Sequence, residues 1–186
     1  QTAGETIKQA GRELLARLTK PQASLSVSLQ EMASDRRVNV AALGAQALAQ
    51  LGQIKPLCDQ FREPQYKLYW KQNLLFLRQL MQASPANAEM VRGQLEEHFP
   101  SEAEMAYRIL VSYTADQFAE EGRQLLGALE SESLLLRVIT YQTLVELVGP
   151  RGGKYQPDDP PQTRMKHLSS WIEAFEAGKL KVRDEE

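Results

Sequence analysis

Apolar residues recur at three- and four-residue spacing along almost the whole chain, and no stretch alternates as a half-buried strand would. Ile7, Ala10, Leu14, Leu15 and Leu18 fall on one face of a first helix over residues 5–18. Thr19-Lys20-Pro21 ends it, because Pro21 cannot continue the hydrogen-bond ladder but suits the first turn of the next helix. The same spacing predicts helices over 22–33, 36–51, 54–61, 65–81, 85–98, 102–111, 115–129, 132–148 and 162–177. Asp35 is expected to cap the third of these, with Gly52 closing it in the C′ position. Ser84 before Pro85 is a start signal, and Ser101–Glu104 and Thr114–Gln117 both have the spacing of a capping box. Asp159 before Pro160-Pro161 is expected to cap the last helix, with Met165, Leu168, Trp171, Ile172 and Phe175 on its apolar side.

A segment recurs within this pattern. Leu29–Gly52 reads LQEMASDRRVNVAALGAQALAQLG and Leu126–Gly149 reads LGALESESLLLRVITYQTLVELVG. Each passes from an apolar helix end through a short polar break, at Ser34-Asp35 or Ser131-Glu132, into an apolar helix that stops at glycine. The terminal glycines are 97 residues apart, room for two units of roughly 40–47 residues and a long turn. A helix pair that recurs is expected to stack on its neighbours.

The second copy carries a family resemblance. Ser131-Glu132, Leu136-Arg137, Thr140, Leu144, Leu147 and Gly149 resemble the HEAT pattern: an acidic turn, an apolar residue before arginine, a small residue, two leucines and a glycine. The first copy gives Asp35, Val40, Gly44, Leu48, Leu51 and Gly52, with Ala41 where the arginine would stand; the second needs Val148 as a one-residue insertion. The Gly/Asp/Tyr-containing loop and the Trp-bearing last helix look like the C-terminal capping unit of some bacterial HEAT-like domains. The resemblance to HEAT/armadillo α-solenoids implies an all-α, short HEAT-like superhelix of about ten helices. It also implies a binding or scaffolding surface, and it transfers no functional residue. The expected organisation is a single helical-repeat domain, 1–186. It comprises an N-terminal helix to residue 20, a repeat body over 21–149, a loop over 150–161, a capping helix over 162–177 and a charged tail over 178–186.

Composition sharpens this picture little. The 186 residues are 25% charged and 42% hydrophobic, an ordinary globular balance. No apolar run approaches the ~20 residues of a membrane-spanning helix, and Leu134-Leu135-Leu136 is interrupted by Arg137. The sequence begins at Gln1, so a processed product or a piece of a longer protein is expected, cytoplasmic or exported and anchored. The net charge of −2 is unevenly spread. Residues 1–93 hold 12 Lys/Arg against 7 Asp/Glu, a balance of +5, and residues 94–186 hold 10 against 17, a balance of −7. That asymmetry suits solvated faces, a basic docking end for an acidic partner, or head-to-tail self-contact.

Candidate chemistry is sparse. Gly149–Lys154 invites comparison with a phosphate-binding loop, but it is one residue short. Tyr155 stands where a Mg²⁺-binding Ser/Thr belongs, and no strand precedes it. His98 and His167 have no metal-ligand spacing, and His98 suits a helix C-terminus. Cys58 is the only cysteine and is expected to be a buried thiol. No catalytic, cofactor or metal residue is expected. Arg137, on an apolar helix face, is expected to pair with an acidic turn residue such as Glu130 or Glu132 or to cap carbonyls of a neighbouring unit.

The one surface candidate is Tyr66, Lys67, Tyr69, Trp70 and Lys71, aromatics interleaved with cations on a helix. Such a strip could anchor a partner, stack bases, or simply be a core stripe with solvated lysines. A non-catalytic protein-interaction or scaffold domain is the expected function, with another protein as partner. The alternatives are a small-ligand-binding or enzyme-accessory helical domain, which a deep pocket lined by Tyr66, Tyr69 and Trp70 would favour, and a nucleic-acid-binding domain, which the mildly acidic net charge disfavours.

Overall fold

The computed structural model describes residues 3–18, 25–149 and 154–182. Among them the chain forms ten α-helices, two 3-10 segments and no strand, as an all-α chain should. The helices are α1 (Ala3–Leu18), α2 (Leu25–Ala33), α3 (Val38–Gln50), α4 (Lys55–Gln60), α5 (Trp70–Ala83), α6 (Pro85–His98), α7 (Ala103–Val111), α8 (Ala115–Gly127), α9 (Leu134–Val148) and α10 (Pro161–Glu176). The 3-10 segments are Pro64–Tyr69 and Ala128–Glu130. The Thr19-Lys20-Pro21 break, residues 150–153 of the glycine-rich stretch and the last four residues of the tail lie outside the described residues.

Local start signals worked unevenly. Thr114 forms both bonds of its capping box: the Gln117 amide N–H donates to its hydroxyl at 3.3 Å, and the Thr114 N–H donates to the Gln117 side chain at 3.0 Å. The Ser84 hydroxyl accepts from the Asn87 N–H at 3.1 Å. Asp35 does not cap α3. Its carboxylate accepts the Arg37 N–H at 2.9 Å, two residues on, so it shapes the turn, and the N-cap is Arg37. Asp159 likewise stands outside α10, whose N-cap is Pro160. The Ser101–Glu104 box does not form, because α7 starts only at Ala103 and the Ser101 hydroxyl donates instead to the Glu102 carboxylate at 2.5 Å.

The largest departure is at 64–69. The expected helix over 65–81 is divided, and the chain runs as a 3-10 segment from Pro64 before turning α-helical at Trp70. Pro64 needs no partner for a missing N–H at a first turn. The three-residue period of this segment then sets Tyr66 and Tyr69 toward one side and leaves Leu68 outside.

The chain divides into two compact units, residues 1–94 and 95–186, with the division inside α6. In the first unit α3 is the hub, touching α1, α2, α4, the first 3-10 segment and α5. Its small residues permit this: Ala41, Ala42, Ala45 and Ala49 are all buried. Gly44 is the closest approach, where an added Cβ would lie 2.5 Å from the Ala33 amide nitrogen and 2.8 Å from the Met32 carbonyl carbon. Leu29, Met32, Val40 and Leu48 fill the α2–α3 interface, with Leu14 of α1 against them. In the second unit α9 is apolar nearly all round, burying Leu135, Leu136, Val138, Ile139, Leu144, Leu147 and Val148, and it packs on α7 and the second 3-10 segment. α10 covers α8, where Phe118 and Phe175 meet edge-on at 5.5 Å and the Phe175 ring occupies the space that a side chain at Gly122 would need.

Both recurring segments fold as a helix pair closed by a glycine in left-handed backbone, φ +83° at Gly52 and +84° at Gly149. At the first, the Gly52 N–H donates to the Ala49 carbonyl and the Gln53 N–H to the Leu48 carbonyl, each at 3.0 Å, a Schellman close. At the second, the Gly149 N–H donates to the Val145 carbonyl at 3.0 Å. A Cβ at either glycine would be strained.

Candidate functional site

The five residues singled out by spacing separate into two sets. Tyr66 and Trp70 turn inward, 7% and 1% exposed, and Tyr69 is half-buried. Lys67 and Lys71 are exposed. Between them stands Leu68 at 92% exposure, which spacing did not select because the expected α-period placed no apolar contact there.

What holds this turn is a buried polar chain. The Trp70 Nε1–H donates to the Gln60 backbone carbonyl at 2.9 Å. The Gln60 side chain accepts from Asn73 Nδ2 at 2.9 Å and donates to the Ala41 carbonyl at 3.0 Å. The Asn73 Oδ1 accepts from Gln46 Nε2 at 3.0 Å. Gln60 and Asn73 are almost fully buried, so every bond here replaces one that water would otherwise make. The result ties α3, α4 and α5 together and fixes the 3-10 segment from below. Gln46 and Gln60 carry no sequence signal for this, since amides at helical spacing look like solvated positions.

The outer side of the turn continues along α5. Lys67, Leu68, Lys71, Gln72, Leu75 and Gln79 are exposed, Leu75 at 40%. Lys67 and Lys71 are the exposed charged residues of Pro64–Ala83, and the exposed Glu63 stands directly before that segment.

On the other flank of the 3-10 segment is a polar cleft of about 580 Å³, walled by the α2–α3 turn, α4 and Gln65-Tyr66. Asp35, Arg36, Lys55, Asp59 and Glu63 line it. Two of its three carboxylates, Asp35 and Asp59, are paired with cations of the same unit. Lys55 and Asp59 pair at 2.6 Å, Asp35 is held by Arg37 at 2.8 Å, and Glu63 accepts from Gln65 at 2.5 Å. Tyr66 is the one member of the aromatic set that lines the cleft. Its hydroxyl is pushed up, first by burial and then by the nearby Glu63 carboxylate, so it stays neutral at physiological pH.

The remaining reactive groups are held quiet. Burial pushes the Cys58 thiol up to about 12, which leaves no useful thiolate near neutrality. Among the described residues no group of three or more His, Cys, Asp or Glu is placed to hold a metal ion, and no helix is long and apolar enough to cross a membrane.

Arg137 caps backbone carbonyls of its own turn and of the loop at Pro157, where a neighbouring unit was expected, and the Glu132 and Asp158 carboxylates stand near it as charges. Its Nη1 donates to the Ser131 and Glu132 carbonyls at 2.6 and 2.8 Å, and its Nε donates to the Pro157 carbonyl at 2.8 Å. Tyr155 folds back beside it, fully buried, with its hydroxyl donating to the Leu129 carbonyl at 2.7 Å and its ring 5.4 Å from that of Tyr141.

Comparison with known protein families, with characterised proteins and with solved structures returns no match.

Proposed function

We propose that this chain is a non-catalytic protein-interaction module of the HEAT-like solenoid type, and that the 3-10 turn Pro64–Tyr69 with the outer side of α5 is its contact surface. The observation that carries this is Leu68. A leucine 92% exposed on a turn anchored by Tyr66, Trp70 and a buried amide chain is displayed by a rigid support. Burying it fully in a partner is worth about 1.5–3 kcal/mol, with little ordering cost to set against the gain. The repeat assignment is supported by the two helix pairs, 97 residues apart, that close on left-handed glycines.

A photoreactive amino acid at Gln72, one helical turn beyond Leu68, tests the proposal in the native cell. Protein crosslinks are expected from position 72 and not from the exposed Ala119 of α8. Equal yields from both positions, or none from either, would remove this surface as an interaction site. The cleft supports a second reading, a small polar ligand, because its volume is in the range of ligand sites. The internal pairing of its carboxylates makes it the weaker of the two.

A further inference from the structure

We infer that the cleft between the α2–α3 turn, α4 and the start of the 3-10 segment binds a small zwitterion, whose carboxylate meets Arg36 and whose ammonium meets Glu63. This deepens the ligand reading of the cleft, and it stands whether or not the outer side of α5 is a contact surface.

The charges along the cleft carry the inference. Three of the five are committed inside the unit: Lys55 and Asp59 hold each other at 2.6 Å, and Asp35 holds Arg37 at 2.8 Å. The two that remain have opposite signs. Arg36 is exposed and makes no hydrogen bond or ion pair among the described residues. Glu63 is exposed as well, and it accepts from the Gln65 amide without a cation beside it among the described residues. The two stand on different walls of one compact unit, Arg36 in the α2–α3 turn and Glu63 at the N-cap of the 3-10 segment. Packing fixes the backbone under each. Gly44 presses α3 on the end of α2, and the Trp70 and Asn73 bonds to Gln60 fasten the 3-10 turn to α4. The walls are thus placed before any ligand arrives, which lowers the cost of binding.

A ligand of one sign would meet one attraction and one repulsion here, and a ligand of both signs satisfies both groups. Gln30, Ser34 and Gln65 add amides and a hydroxyl for its polar body. A volume of about 580 Å³ admits a free amino acid or a short peptide with free ends, which share this chemistry. Other ligands fit less well. A phosphate would have one free guanidinium and would face the Glu63 carboxylate. An apolar ligand would find Leu48 fully buried and Tyr66 nearly so, with only Ala33 and Pro56 partly open.

Titration calorimetry of the intact protein at neutral pH and low salt tests this with L-glutamine and triglycine, each also N-acetylated and C-amidated. At least one unblocked probe should bind, and each of its blocked forms should bind roughly fivefold more weakly or worse. Arg36→Gln and Glu63→Gln, exposed positions whose variants should melt as the parent does, should each weaken the unblocked probe by a similar factor. Which probe binds separates a free amino acid from a peptide. Blocked forms that bind as well as the parent probe, or binding that neither substitution moves, would overturn the inference. A blocked form that binds best and is lost with Arg36→Gln would leave the cleft a ligand site and overturn only the zwitterion. No heat from any probe at about 10 mM would remove the inference and the ligand reading of the cleft together.

Discussion

The α2–α3 and α8–α9 helix pairs solve one problem by opposite means. Both turn a polar break into an apolar helix that ends on a left-handed glycine. In the second pair the turn is fastened from inside, by the buried Arg137 guanidinium on three backbone carbonyls. In the first pair the corresponding position is Ala41, and the turn is fastened from outside: the exposed Arg37 pairs with Asp35 and with Glu13 of α1, both only partly exposed. Those surface ion pairs hold less than buried charge-assisted bonds do. The first pair compensates by proximity, with Gly44 against the backbone of Met32 and Ala33. One hairpin is secured by polar bonding and the other by close packing, so each should fail by a different substitution.

The sharpest break is Gly44→Val. Its side chain would collide with backbone that cannot rotate away, and a cost of about 3 kcal/mol or more is expected. Chemical denaturation should show the loss; an unchanged midpoint would mean that α2 can shift outward freely.

Arg137→Ala comes next, at about 2–4 kcal/mol, because it leaves carbonyls of Ser131, Glu132 and Pro157 in need of partners. Arg137→Lys should recover only part of this, since one ammonium cannot reproduce the spread of the guanidinium. Full recovery by lysine would reduce the role of Arg137 to charge alone.

Alkaline pH probes both units more gently. The Cys58 thiol is pushed up to about 12 from its ordinary 9.0, and the Tyr155 hydroxyl up to about 12 from 10.0, both chiefly by burial. Each neutral form is favoured by folding, so the contribution is fully present below the ordinary value and is lost as pH rises toward 12. Above pH 9 stability should fall with a slope of up to about 1.4 kcal/mol per pH unit for each group. Cys58→Ala should delay the onset to near pH 10, and Tyr155→Phe should flatten the later part, judged by slopes of stability against pH.

Smallest is Arg37→Ala. Its loss should be within the error of a melting curve at physiological salt and emerge only at low ionic strength. A large loss there would erase the contrast between the two hairpins.

The elements themselves were legible. Helix spacing found every helix, and Gly52, Gly149, Thr114 and Ser84 marked ends that the structure keeps. Turn detail was less legible. Asp35 and Asp159 carry the composition of caps, yet a carboxylate can also bond within a turn, and the choice depends on where the helix axis must point. The candidate strip was half legible. Tyr66 and Trp70 turn inward together as a core stripe would, but the 3-10 geometry that puts Leu68 outside depends on Pro64, on Gln60 just upstream and on Gln46 of α3, a pairing that no local spacing signals.

The amide chain from Gln46 through Asn73 and Gln60 to Ala41 has a further consequence. Apolar faces are tolerant of sliding, because one methyl resembles another. Amides are not, since a shift of one helical turn would strand two donors and two acceptors away from water. The chain therefore acts as a keyway, admitting α5 onto α3 in one register. Position 60 is its narrowest point, where a single side chain serves two partners and its own carbonyl a third. Among descendants of this sequence, glutamine there should change only together with Asn73, and the two positions should drift as one character.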